Sequence, residues 1–234
     1  MRSFTLLALA VGICLVTTSV NLSGESQVLS NGGQAFSRTE TGSRVNLTPA
    51  ATTRYRLDAS QSKFTAHALA GGLLWFKGHD HLIAIPDFTG EAQLTPNSIT
   101  PAFLQIIAKA ASMVETSDVF TEPQKQIINK ELREIVLHPD QYPEIIFRST
   151  AVTGKPTGSN EYDLKITGDL TLHGVTRQIK IPTKITVTGD RLRAQGEFSI
   201  NRGDFKVKAT SAVHGLVRVR NKVKFTFDIV GHQH

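Results

Sequence analysis

The sequence predicts an all-β protein: an antiparallel β-barrel of about eight strands with one α-helix covering an end. Three observations support this fold class. From Arg54 onward, apolar and polar residues alternate in one segment after another, turn-forming residues separate these segments, and a single segment has helical spacing. Alternation with a period of two is typical of half-buried antiparallel strands. A sheet with one apolar face must close or stack to hide that face.

The predicted strands are the segments in which the alternation is strictest. They are "FTGEAQL" (88–94), "YDLKITGDLTL" (162–172), "QIKIPTKITV" (178–187), "RLRAQGEFSI" (191–200) and "VRNKVKFTFDIV" (219–230). Turn-forming residues lie between them in "KPTGSN" (155–160), "LHGVT" (172–176) and "TGDR" (188–191). Because the later strands follow one another with short connections, the sequence favours an up-and-down barrel over a Greek-key sandwich.

A barrel of this size is either filled by its own side chains or holds one small ligand. The inward-facing positions include several phenylalanines and also small residues, namely Gly90, Ala92, Ala194 and Gly196. Small residues leave space among large ones. The sequence therefore predicts an apolar tunnel, with a filled core as the alternative.

One segment, residues 121–143, has the spacing of an amphipathic helix. It begins at Thr121 with Pro123 close behind, and prolines in "HPDQYP" end it. Its predicted apolar stripe consists of Ile127, Ile128, Leu132, Ile135 and Val136. Such a stripe needs a surface to cover, and one end of the sheet is the simplest choice.

The N-terminal residues indicate export. Arg2 is followed by a short apolar run and then by small and polar residues, which is typical of a secretory signal peptide over residues 1–24. Residues 25–53 are rich in Ser, Thr, Gly and Asn and predict a flexible linker. The single cysteine, Cys14, lies within the signal, so the mature protein is expected to contain no thiol. We expect a periplasmic or secreted protein.

The positive charge is concentrated in the C-terminal half. Residues 177–224 contain twelve Lys or Arg and three acidic residues, Asp190, Glu197 and Asp204. This bias indicates either an anionic partner such as a membrane surface or simply the solvent-facing side of strands. Export and the absence of interleaved aromatic residues argue against a nucleic-acid partner. The oligomeric state is left open, with a homodimer among the alternatives.

Four segments resemble the YceI-like family of bacterial periplasmic or secreted proteins. They are "YRLDASQSKFTAHAL" (55–69), "YPEIIFRST" (142–150), "GDLTLHGVTRQIKIP" (168–182) and "INRGDFKV" (200–207). The resemblance covers residues 54–231, within a predicted domain of residues 54–234, and implies a lipocalin-like barrel that binds a polyisoprenoid lipid. By this resemblance the expected ligand is a long apolar chain, such as an isoprenoid or a quinone tail, threaded along the barrel.

The residues expected to contact that chain are those on the inward faces, together with the single tryptophan. For each one, plain core packing is the alternative. The predicted contacts are Phe64, Trp75, Phe88, Leu94, Phe147, Leu164, Ile166, Ile179, Ile181, Phe198, Phe225 and Phe227.

The stretch "GHDH" contains the strongest candidate for metal chemistry. His79 and His81 are spaced so that they would share one side of a strand, and His67, His173 or Asp80 would supply a third ligand. Gly78 and Asp80 instead indicate a turn near a barrel mouth. A metal-dependent enzyme or redox accessory is thus the alternative to a binding protein.

No other catalytic constellation is present in the sequence. It contains neither a nucleophile elbow nor a phosphate-binding or dinucleotide-binding motif. Arg202 and Asp204 in "NRGDF" are expected to form a structural ion pair or turn cap. The sequence therefore favours a non-catalytic protein that holds a long apolar lipid for transport, storage or sequestration.

Overall fold

The computed structural model describes residues 51–72, 78–95, 98–100, 102–212 and 217–234. The predicted signal peptide, nearly all of the predicted linker and Trp75 lie outside the described residues. Within the described part, no helix has both the length and the apolar character needed to cross a bilayer.

Eleven strands and one α-helix make up the described fold. The strands are β1 (Thr53–Gly71), β2 (His81–Ala84), β3 (Phe88–Leu94), β4 (Phe103–Lys109), β5 (Val114–Glu115), β6 (Glu144–Gly158), β7 (Glu161–Leu172), β8 (Val175–Thr188), β9 (Arg191–Asn201), β10 (Ser211–Ala212) and β11 (Val217–Gln233). The helix α1 (Glu122–Glu131) continues into a wider, π-helical turn over Leu132–Leu137.

Eight of the strands form a closed antiparallel barrel, as predicted. Their order is β1, β3, β4, β6, β7, β8, β9 and β11, and β11 pairs back with β1. The short strands β2, β5 and β10 extend the wall at one end, where β2 lies beside β1 and β10 beside β11. The barrel thus has one regular end and one irregular end whose wall is completed by short strands.

The predicted hairpin turns are confirmed by backbone geometry. His173 and Gly174 join β7 to β8 with φ angles of 51° and 71°, and Gly189 joins β8 to β9 with a φ of 60°. Two-residue hairpin turns need positive φ at both central residues, as at His173 and Gly174, or at the first one, as at Gly189. His173 is therefore a turn residue.

The helix covers the irregular end of the barrel, but its inward face differs from the predicted stripe. Ile128, Leu132 and Val136 line the interior at four-residue spacing. Ile127 and Ile135 each precede one of these by a single residue, which turns them about 100° around the helix. They are 62% and 40% exposed. The prediction that both lie in the buried stripe is wrong for this reason.

Two of the predicted small-residue positions do not leave space inside the barrel. A Cβ atom at Gly90 would lie 2.7 Å from the Leu57 side chain, and one at Gly196 would lie 2.7 Å from the Phe227 ring. Neighbouring side chains therefore fill the space over these glycines. Ala92 and Ala194 do border empty interior space.

We predict that Gly196→Ala destabilises the barrel. The added methyl group would meet the Pro182 carbonyl oxygen at 2.3 Å as well as the Phe227 ring, and overpacking of this kind costs about 1–3 kcal/mol. Urea denaturation measures the loss. The control is Gly158→Ala, because its nearest neighbour is the Glu161 side chain at 3.4 Å. Equal stability of the two variants would contradict the tight packing at Gly196.

Candidate functional site

The barrel interior contains an apolar cavity made of two adjoining chambers. The main chamber lies between the eight strands and has an empty volume of about 1000 Å³, with open solvent at its mouth included. The helix-side chamber has about 1170 Å³ on the same measure, and α1 with its wider turn forms part of its wall. The residues that line both are Phe64, Ala108, Ile145, Leu170 and Phe198.

The main chamber is apolar because strand alternation turns every other side chain inward. Among its described lining residues, only Gln93 and Thr183 have polar side chains. The Thr183 hydroxyl donates a hydrogen bond to the Ile181 carbonyl oxygen at 3.3 Å. A polar ligand group placed here would find few partners, whereas a hydrocarbon chain would need none.

Most of the residues predicted to contact a lipid line this cavity. Phe225 lines the helix-side chamber. Phe88 is buried with its ring edge-on to Phe64, at a centroid distance of 6.3 Å, and lies outside both lining sets. Trp75 is outside the described residues. The predicted residues that line the main chamber are Phe64, Leu94, Phe147, Leu164, Ile166, Ile179, Ile181, Phe198 and Phe227.

A cluster of phenylalanines stands where the two chambers meet. The rings of Phe198 and Phe225 stack with centroids 5.0 Å apart and an interplanar angle of 8°. Phe64 approaches Phe225 at 6.2 Å, and Phe227 approaches Phe198 at 6.4 Å. Since β1, β9 and β11 are paired neighbours, these rings lie together on one part of the wall.

A hydrogen bond between a histidine and a buried carboxylate lies beside the helix-side chamber. His81 lines the chamber, and its Nδ1 is 2.7 Å from Oε2 of Glu115, whose side chain is fully buried. Oε1 of Glu115 accepts hydrogen bonds from the backbone N–H groups of Leu82, at 3.1 Å, and Ser117, at 2.8 Å. Burial alone would raise the pKa of Glu115, but these three donors outweigh it and the pKa is lowered. Glu115 is thus a carboxylate, and His81 Nδ1 carries the hydrogen that it accepts.

The sequence did not single out Glu115. It lies in a two-residue strand that is too short to show alternation, and its partner is 34 positions away. The only signal was a carboxylate directly after the apolar pair Met113 and Val114. That signal is too weak to identify a buried carboxylate with a histidine partner.

The candidate metal ligands have other partners in the structure. The His79 and His81 rings both contact Phe120, at centroid distances of 5.7 and 5.2 Å. Asp80 Oδ1 accepts the Ala70 N–H at 2.8 Å. His67 is hydrogen-bonded to Thr226. No group of three or more His, Cys, Asp or Glu side chains suited to a metal occurs within the described ranges. The metal-site hypothesis remains a prediction.

Arg202 and Asp204, expected to form an ion pair or a turn cap, do not pair with each other, and their hydrogen bonds hold the turn instead. Both residues lie in one 3₁₀ turn, Arg202–Phe205. The Arg202 guanidinium instead donates to the carbonyl oxygens of Val207, at 2.8 Å, and Arg220, at 3.3 Å. Asp204 accepts from the Asn201 amide at 3.3 Å. The guanidinium that makes these two hydrogen bonds also lines the helix-side chamber.

Part of the positive charge lies on the outer barrel surface. Arg177, Lys180, Lys184 and Lys222 are exposed on β8 and β11. Two other cations of this region are neutralised, since Lys224 pairs with Glu197 and Arg193 with Asp228.

The architecture defines the protein class: a closed, lipocalin-like antiparallel barrel with an apolar interior cavity and a helix over one end. The family model described as YceI-like domain matches residues 55–231. The chain belongs to the YceI-like family.

Curated relatives agree with this family. The chain is 38% identical over 106 residues to a UPF0312 protein of Pseudomonas savastanoi pv. phaseolicola, covering 41% of this chain and 50% of the relative. It is 35% identical over 102 residues to the protein YceI of Escherichia coli, with coverages of 41% and 50%. The matches thus span about half the length of these curated relatives.

Two solved structures share the fold at low sequence identity. BcnA of Burkholderia cenocepacia superposes with a TM-score of 0.58 and 21% identity, covering 74% of this chain and 98% of BcnA. A polyisoprenoid binding domain from Saccharophagus degradans superposes with a TM-score of 0.53 and 13% identity, covering 77% and 98%.

We predict that Glu115→Gln lowers stability at neutral pH and that the loss shrinks in acid. The folded-state pKa of Glu115 lies below its ordinary value of 4.5. The carboxylate therefore stabilises the fold above that value, and this contribution disappears as pH falls through the folded-state pKa. Loss of a hydrogen-bonded buried charge costs about 1–3 kcal/mol.

Urea denaturation at pH 7, 4.5 and 3 measures this effect. The control is Glu134→Gln, an exposed carboxylate on the wider turn after α1. If the stability difference between wild type and Glu115→Gln is the same at all three pH values, the charge of Glu115 is not its cause.

Proposed function

We propose that the protein is a non-catalytic binding protein that holds a long apolar lipid of the isoprenoid or quinone type inside its barrel. The observation that carries this proposal is the apolar main chamber, in which a charged side chain is absent from the described lining. Burial of hydrocarbon is favourable by about 0.8 kcal/mol for each CH₂ group. A chamber of this kind therefore binds a chain without any catalytic group.

The two adjoining chambers suit an elongated ligand rather than a compact one. The strands β7, β8 and β9 contain 12, 14 and 11 residues. Each residue adds about 3.3 Å of strand length, and the two chambers lie one after the other along these strands. A ligand that filled both would pass the phenylalanine cluster of Phe64, Phe198, Phe225 and Phe227. The polyisoprenoid-binding description of the Saccharophagus degradans structure supports this ligand class.

We propose further that the protein acts outside the cytoplasm, because of the signal-like N-terminus. The exposed cations Arg177, Lys180, Lys184 and Lys222 support an encounter with an anionic membrane surface, where each cation contributes on the order of 1 kcal/mol. Such an encounter would place the barrel at a source of lipid.

The first experiment is lipid extraction and native mass spectrometry after mild purification. We expect a co-purifying lipid with a long apolar chain, and its mass identifies the ligand. Addition of an isoprenoid to delipidated protein should also quench the fluorescence of Trp75, the only tryptophan of the chain. If neither a bound lipid nor quenching is observed, the proposal fails.

We predict that Ala194→Phe reduces lipid occupancy at least severalfold. Ala194 borders the empty space of the main chamber, and the added ring occupies volume that the chain would use. Lipid bound per protein, measured by extraction, gives the effect. The matched control is Ser199→Phe on the same strand, whose side chain is exposed. Unchanged occupancy in a folded Ala194→Phe variant would place the ligand elsewhere.

A further inference from the structure

The backbone pairing between β8 and β9 stops part of the way along these strands. They pair only as far as Thr183, which lies opposite Gly196. Beyond that point residues 175–182 pair with β7 and residues 197–201 pair with β11. Pro182 stands where the pairing ends, and a proline has no N–H to donate to a neighbouring strand. Within this described part of the sheet, two strand edges therefore face each other without ladder pairing.

A cleft lies between these two edges, and we call it the β8–β9 cleft. Its empty volume is about 850 Å³, with open solvent included. Ile179 of β8 lines both the cleft and the main chamber. Ile200 of β9 lines both the cleft and the helix-side chamber. At these two positions a single side chain separates the cleft from the barrel interior.

The exposure of Arg177 shows that the wall is open at this point. Arg177 lies opposite Leu170 of β7, and residues opposite each other in a sheet share one face. Leu170 is buried and lines both chambers. Arg177, in contrast, is exposed and lines the cleft. A position on the inward face thus reaches solvent, because β9 does not continue the wall beside it.

Phe205 borders the β8–β9 cleft as a buried side chain. It lies in the 3₁₀ turn that follows β9 and is 2% exposed. This turn is bonded to β11, since the Gly203 N–H donates to the Asn221 side chain at 2.9 Å and Arg202 donates to the Arg220 carbonyl oxygen at 3.3 Å. Among the described residues, no hydrogen bond joins the turn to β8. The cleft can therefore widen by separating apolar side chains, with no backbone ladder to break.

We propose that the β8–β9 cleft is a lateral portal through which the lipid enters and leaves the barrel. The inference rests on the proposed function, since it requires a lipid inside the barrel. Arg177 and Lys222 line the cleft, and both belong to the exposed cations that we propose meet an anionic membrane. A barrel that touches a membrane through these residues turns the cleft toward the source of lipid. A long chain that passes sideways between strands also avoids threading through an end of the barrel.

The test holds the β8–β9 cleft closed with a cross-link between two thiols. Gln178→Cys and Ser199→Cys are introduced together in a Cys14→Ser background, because both side chains are exposed and line the cleft from opposite strands. A short bismaleimide joins the two cysteines. Each protein is compared before and after cross-linking, so that effects of the substitutions themselves cancel.

The matched control is a cross-link where β8 and β9 are already paired. Thr188→Cys and Arg191→Cys serve for this, because the two positions lie opposite each other and both are exposed. The probe is farnesol, supplied in vesicles of phosphatidylcholine and phosphatidylglycerol. Trp75 fluorescence follows its uptake and release over time and its affinity at equilibrium.

We expect the cross-link over the cleft to slow farnesol uptake about tenfold, which corresponds to a barrier higher by about 1.4 kcal/mol. Release should slow by the same factor and the equilibrium affinity should stay unchanged, because a portal affects the path and not the bound state. The control cross-link should change neither rate.

Each failure has a distinct meaning. If the protein without a cross-link binds no farnesol, the proposed function itself fails. If farnesol binds but neither cross-link changes the rates, or both slow them equally, the portal is wrong while lipid binding stands. If the cross-link over the cleft weakens the equilibrium affinity as much as it slows uptake, the cleft is part of the binding site and not a portal.

Discussion

The pairing of β1 with β11 is the constraint on which the rest of the structure depends. These are the longest strands, and they pair from Tyr55 opposite Gln233 to Gly71 opposite Arg218. Without this pairing the sheet would have two long free edges and an apolar face open to water. The pairing also assembles the cavity wall, because it sets Phe64 opposite Phe227 and Ala66 opposite Phe225.

Local sequence patterns predict the regular part of the barrel, but they predict the candidate functional site only in part. Alternation fixes which face a residue takes, so positions such as Leu164 and Ile181 were predictable as lining residues. Alternation does not fix volume: Gly90 and Gly196 suggested space that Leu57 and Phe227 fill. The partners of Glu115 and Arg202 come from distant segments and from loop backbone, which carry no periodic signal. An offset of one residue along the helix, about 100° of rotation around its axis, was enough to misplace Ile127 and Ile135.

The irregular end of the barrel carries nearly all of the site's polarity for a structural reason. Where strands run regularly, the inward face is fixed by the pleat and apolar residues occupy it. At the other end β2, β5 and β10 are short, and loops such as residues 202–210 replace strands in the wall. Loop carbonyls need donors, and Arg202 supplies them at the chamber. Polar groups therefore enter the cavity lining where the regular strand pairing ends.

The apolar main chamber also determines how ligand binding and stability are coupled. An empty apolar chamber deprives its lining of dispersion contacts, so the ligand-free barrel depends on strand pairing and on packed positions such as Gly196 against Phe227. A bound chain restores those contacts and stabilises the folded state in proportion to the logarithm of its concentration. In the proposed lipid-binding role, the length of the apolar chain would therefore set how strongly the barrel holds its ligand.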